Sequence, residues 1–162
     1  MAERNDRHND RQLARRYVWL ARGAYALCAG LFAACIILQV FFAGAGVLVA
    51  ASYWIAHRGF GQAIGWLTFA MLGIGLAARL PWRMHALNVL LALLFMLQYV
   101  FLWVLGPAVG VPALRALHPV NALALFWLAV YLGQQGWRLL RGSRVGPRGD
   151  QALPAGAAGG NV

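Results

Sequence analysis

Two histidines and two glutamines carry the chemistry that this chain's residues suggest. Gln39 lies near the end of one long apolar run and His57 follows eighteen residues later; Gln98 lies near the end of another and His118 follows after twenty. The glutamines are 59 residues apart and the histidines 61, so a glutamine–histidine pair recurs in two matching halves. Two neutral imidazoles at one level of an apolar helical bundle supply both axial ligands of a b-type haem. The helices then wall the porphyrin, and the low-spin iron carries electrons. His57 and His118 are the expected iron ligands, and haem b is the expected cofactor. The helix face of His57 continues through Gly61, Gly65 and Thr68, where the absence of bulk lets a flat macrocycle approach. Asn121 and Ala122 fall one turn beyond His118. Arg58 and Arg115 stand beside or near the histidines, where they would pair with the haem propionates. Gln39 and Gln98, from the other two helices, complete the polar set.

The same residues also support a structural reading. A histidine or glutamine in a membrane bundle often only hydrogen-bonds a neighbouring helix, at about 0.6 kcal/mol per contact. The stretch "GQAIG" at 61–65 equally suits a small-residue packing seam. On this reading the chain is a non-enzymatic structural or accessory membrane subunit with an interhelical Gln/His network. Whether it is an enzyme stays open. His85 has no counterpart in the repeat and is expected at an interface; His8 belongs to the basic amino-terminal segment and is expected in solvent.

These residues need elements to position them. Of the 162 residues 62% are hydrophobic, and the mean hydropathy is +0.63, well beyond what a soluble core requires. A helix crosses the hydrocarbon layer with about 20 apolar residues, and the segments 17–42, 57–78, 86–104 and 118–137 qualify. The fold class expected is all-α: a polytopic membrane four-helix bundle over 17–142, made of two repeated hairpins related by an axis along the membrane normal. Residues 1–16 read as a basic cytoplasmic tail, and 143–162, small, polar and helix-breaking, as a disordered one. Pro81 implies a tight hairpin between spans two and three. Pro119 is either the first residue of span four or a kink in a helix begun near Pro112.

All fourteen basic residues are arginine, and the four acids are Glu3, Asp6, Asp10 and Asp150, so residues 11–149 contain no carboxylate. That excludes an intramembrane carboxylate proton relay, a carboxylate-ligated metal and paired catalytic carboxylates within the bundle. Only histidine is left to carry protons, and no pair of broken half-helices marks a transport site. Nucleophile elbows and phosphate-cradling loops are absent from the sequence. The net charge of +10 flanks apolar spans rather than forming a basic face with interleaved aromatics, so nucleic acid is not the expected partner. Twelve arginines fall on one side of the spans and two, Arg58 and Arg115, on the other. The positive-inside rule then puts both termini in the cytoplasm of a bacterial inner membrane. The partners expected are lipid, a quinol or an external redox protein, and a homo- or hetero-oligomer.

"RRYVWL" at 15–20 and "AGA" at 43–45 look like parts of a twin-arginine export signal, but the apolar stretch between them is too long for a signal core. It is taken as an uncleaved first span. Cys28 and Cys35, seven residues apart on one helix, read as packing residues rather than a disulfide. Tyr53, Trp54, Trp82, Trp103 and Trp137 read as interfacial belt residues, with pocket lining as the alternative.

"AHRGFGQAIGW" and "ALHPVNALALFWL" resemble a family of small, uncharacterised bacterial four-helix membrane proteins, over residues 14–142; that resemblance implies a fold and no activity. A looser likeness is to one four-helix half of haem A synthase, in which histidines on the second and fourth helices face each other across a haem. Carried over, it puts His57 and His118 in the axial positions. The chain has one such half, no acid outside its tails and no external cysteine pair, so the likeness implies haem binding and not haem A synthesis.

Overall fold

The computed structural model describes residues 2–105 and 108–143. The described residues form four long helices: α1 (Ala2–Leu48), α2 (Tyr53–Ala77), α3 (Trp82–Tyr99) and α4 (Leu117–Gly142). A π-helical segment, Val100–Leu105, continues α3, and a 3-10 turn, Pro112–Ala116, leads into α4. All four are long and apolar enough to cross a membrane, which suggests a multi-pass membrane protein. Their outer surfaces agree with that: Leu27 and Trp66 are each 74% exposed, a surface that matches lipid tails rather than water.

The arrangement is a four-cornered bundle. α1 packs against α2 and α4, and α3 packs against the same two, leaving α1/α3 and α2/α4 as the diagonals. Phe32, Met71, Leu91 and Leu132 fill the centre and are fully buried. Lipid gives no hydrophobic push between helices, so close van der Waals contact must hold them. The α1–α4 seam provides it through small residues. Gly133 faces Ala29, and a Cβ added at Gly136 would come within 2.8 Å of the Tyr25 ring. Cys28 and Cys35 are free thiols, half-buried at the edge of this core.

A polar cross-link spans one diagonal. The Tyr25 hydroxyl on α1 donates to Asn88 Oδ1 on α3 at 2.9 Å, with both side chains fully buried.

Several boundaries differ from the sequence reading. α1 begins at Ala2, so the basic segment expected over residues 1–16 is helical from Ala2 onward. Its 47 residues extend about 70 Å, more than twice the hydrocarbon thickness. Residues 2–16 include five arginines and two alanines, which favour helix although hydropathy does not reveal them. α2 begins at Tyr53, placing His57 in its second turn. The hairpin expected at Pro81 is present, and its α2 end is closed by a Schellman motif. The Arg79 N–H reaches the Leu76 carbonyl at 3.0 Å and the Leu80 N–H the Gly75 carbonyl at 3.2 Å. Arg79 has φ +49° at the left-handed position where glycine is usual.

Pro119 is the third residue of α4, in the opening turn, where a missing N–H costs no helical bond. His118 therefore belongs to the first turn of the helix, and the 3-10 turn carries the helical path back to Pro112. The tail expected over 143–162 lies, beyond Ser143, outside the described residues.

Candidate metal centre

His57 on α2 and His118 on α4 meet across the second diagonal. Their ring centroids are 6.2 Å apart and the planes are inclined at 66°; both residues are half-buried. Each ring is held in the same way. His57 Nδ1 lies 3.0 Å from the main-chain oxygen of Gln39, and His118 Nδ1 lies 3.3 Å from that of Gln98. A carbonyl can only accept, so Nδ1 carries the hydrogen, and the neutral ring keeps its lone pair on Nε2. Metal-binding histidines are commonly oriented by such a bond from the other ring nitrogen. The ring spacing also suits a shared ion. Two metal–nitrogen bonds of about 2 Å, together with the half-widths of two imidazoles, amount to about 6 Å.

α3 changes from α- to π-helical pairing immediately after Tyr99, one residue beyond Gln98, and wide turns of this kind are frequent at functional sites. Trp54 shields His57 from one side: the ring centroids are 5.5 Å apart in edge-to-face contact. Gly46 makes room for that indole, since a Cβ there would approach Trp54 Cε2 to 2.9 Å. Trp54 is thus a wall of the site. Trp82 and Trp103, 74% and 68% exposed, remain near helix ends as belt residues would, and Trp137 stacks under Arg141 at 5.2 Å.

The remaining candidate residues take more varied places. The room beside Gly61 is occupied by the Gln39 side-chain amide and that beside Gly65 by the Phe95 ring. Instead of the cleared face that a macrocycle would need, these glycines form notches that receive side chains from α1 and α3. Thr68, on the same face, turns back to bond the Gly65 carbonyl at 2.7 Å. Asn121 donates Nδ2 to the Leu94 carbonyl at 2.7 Å, tying α4 to α3. Arg58 and Arg115 are exposed. His85 lies half-buried in the first turn of α3, and His8 is exposed and paired with Gln12 at 2.8 Å.

Two atoms test whether a further group belongs here. Gln39 Oε1 and Gln98 Oε1 are buried with no hydrogen-bond partner. Each residue binds its histidine through the main chain and leaves its amide oxygen open. A buried acceptor without a donor calls for a water, an ion or a ligand. Among the described residues no three His, Cys, Asp or Glu side chains cluster. The two imidazoles could supply at most a pair of nitrogen ligands to an ion.

Sequence reasoning did not single out Phe95, Asn88 or Tyr25. Trp54 carried a signal, because a residue three before His57 shares its helix face.

Residues 39–104 match a family of unknown function, DUF6220. That match supports the expected likeness to an uncharacterised family over this stretch of the chain. The DUF6220 stretch opens at Gln39 and includes His57 and Gln98, while His118 and α4 lie beyond it, so it is shorter than the 14–142 expected. No curated protein and no solved structure matches the chain, and the likeness to haem A synthase has no match behind it.

Proposed function

We propose that the chain is a small b-type cytochrome of the bacterial inner membrane, holding one haem between His57 and His118 for electron transfer. One observation carries this reading: two imidazoles from diagonal helices, 6.2 Å apart, each with its Nδ1 hydrogen committed to a carbonyl. A haem held there would supply one-electron transfer between a membrane quinol and an external partner. The chain's own residues do the rest. His57 and His118 would hold the group through Nε2, the Gln39 and Gln98 carbonyls set the tautomer, and Trp54 covers one side of the His57 ring. Arg58 and Arg115 are the cations available to the propionates. Admission of the macrocycle requires the Gln39 amide and the Phe95 ring to yield the notches at Gly61 and Gly65.

The matching Gln39–His57 and Gln98–His118 contacts support a repeat of two hairpins. The 12 to 2 distribution of arginines supports cytoplasmic termini. The test is the protein purified from haem-replete cells. It should carry one haem per chain, with a Soret band that shifts on dithionite reduction, and His57→Ala and His118→Ala should each lose it. Colourless wild-type protein, or unchanged haem content in both variants, refutes the reading.

The Gln39 amide seated at Gly61 favours a second reading, a structural or accessory subunit. On it, the histidine variants lower thermal stability in detergent without any chromophore, and gentle extraction recovers a partner.

A further inference from the structure

At the end of the bundle opposite the histidines, an open cavity of about 750 Å³ is lined by Arg11, Arg15, Arg16, Arg22, Arg79 and Ser143. We infer that this cavity binds a phosphoryl group, presented by the headgroup of an anionic phospholipid. The inference does not depend on the haem reading.

Five arginines line it, four from α1 and one from the turn after α2. Residues 11–149 contain no carboxylate, and the nearest acids in sequence, Asp6 and Asp10, are not part of the lining. Neutralisation of this charge must come largely from outside the chain. Guanidinium forks match the oxygens of a phosphoryl group, which they bind in pairs.

Arg22 is built into the site. Its Nε donates to the Ala78 carbonyl at 3.3 Å, and Nη1 donates to the Leu139 carbonyl at 3.5 Å and Ser143 Oγ at 2.6 Å. These acceptors lie at the carboxy-terminal ends of α2 and α4, where exposed carbonyls favour a cation. One half-buried arginine therefore joins two helix ends and stands fixed at the cavity. Arg79 reaches it from a backbone conformation that glycine would adopt without strain, and residues held in unfavoured conformations concentrate at binding sites.

The level of the cavity selects the source of the phosphoryl group. It surrounds the point where α1 passes from its basic segment, ending at Arg16, to the apolar run from Tyr17. Val18 and Trp19 also line it, offering an apolar wall to the glycerol end of a lipid. Basic pockets at this depth of a membrane protein suit anionic headgroups.

The full chain in phosphatidylcholine nanodiscs, at fixed ionic strength, provides the test. Phosphatidylglycerol should bind in preference to phosphatidylcholine, as read by native mass spectrometry and by a rise in the unfolding midpoint. Arg15→Gln with Arg16→Gln, both on the exposed surface of α1, should weaken that binding roughly tenfold and leave the circular dichroism unchanged. Displacement of the lipid by millimolar inorganic phosphate supports the same site. Phosphate binding that phosphatidylglycerol does not displace supports the phosphoryl chemistry and makes free phosphate its source. Equal retention of the two lipids together with no response to phosphate overturns the inference, as does equal phosphatidylglycerol binding by wild type and the double variant.

Discussion

His57 and His118 face one another across the α2–α4 diagonal, 6.2 Å between ring centroids, and each is anchored through Nδ1 to the main chain of the helix that precedes its own. Because the anchors are carbonyls, they survive substitution of the glutamine side chains. Gln39→Ala and Gln98→Ala should therefore keep the bound haem, whereas His57→Ala and His118→Ala lose it. Haem content of the four purified variants checks this; loss in the glutamine variants as complete as in the histidine ones would contradict main-chain anchoring.

The other diagonal is closed by Tyr25 and Asn88. Tyr25→Phe removes the donor and leaves the fully buried Asn88 amide without its partner, at a cost of about 1–3 kcal/mol. Asn88→Leu in the same background removes the stranded amide and should restore part of the loss. Unfolding of the single and double variants in detergent measures the coupling. Independent, additive losses would show that the hydrogen bond contributes nothing.

Glycine positions should separate sharply by their surroundings. Gly136→Leu drives a side chain into Tyr25 and the α1 backbone, and Gly65→Leu drives one into Phe95. Each should destabilise by about 1–3 kcal/mol through overpacking. Gly30 has nothing within 4 Å of an added Cβ, so Gly30→Ala should stay within about 0.5 kcal/mol of wild type or gain slightly in helix propensity. Thermal midpoints in one detergent rank the three.

Arg79→Gly should act in two directions. Relief of the left-handed backbone should stabilise the α2–α3 turn by about 1 kcal/mol, while loss of a guanidinium should weaken phosphatidylglycerol binding. Parallel unfolding and lipid-binding measurements on this variant read both effects; a fall in stability would show that the Arg79 side chain holds the turn.

The spans were legible because an apolar run of membrane length needs no tertiary information to be recognised. The histidine pair was legible for a related reason: the near-equal spacings after Gln39 and Gln98 place His57 and His118 at one end of alternate helices. The glycine partners were not. Which side chain enters the notch at Gly61 or Gly65 depends on the rotation and axial register of neighbouring helices, which the residues of α2 alone do not encode. Helices that are apolar on every face give little rotational signal, so Phe95 and Gln39 could not be matched to their glycines from the sequence. The continuation of α1 through Arg4–Arg16 was hidden for the opposite reason: its helix-forming residues are charged, and a hydropathy reading stops where they begin.

The most direct measurement is low-temperature electron paramagnetic resonance of the oxidised protein, wild type beside His118→Ala. Two rings sharing one iron predict a low-spin ferric signal in the wild type that becomes high-spin or disappears in the variant. No haem signal in the wild type, or an identical low-spin signal after His118 is removed, would contradict the account.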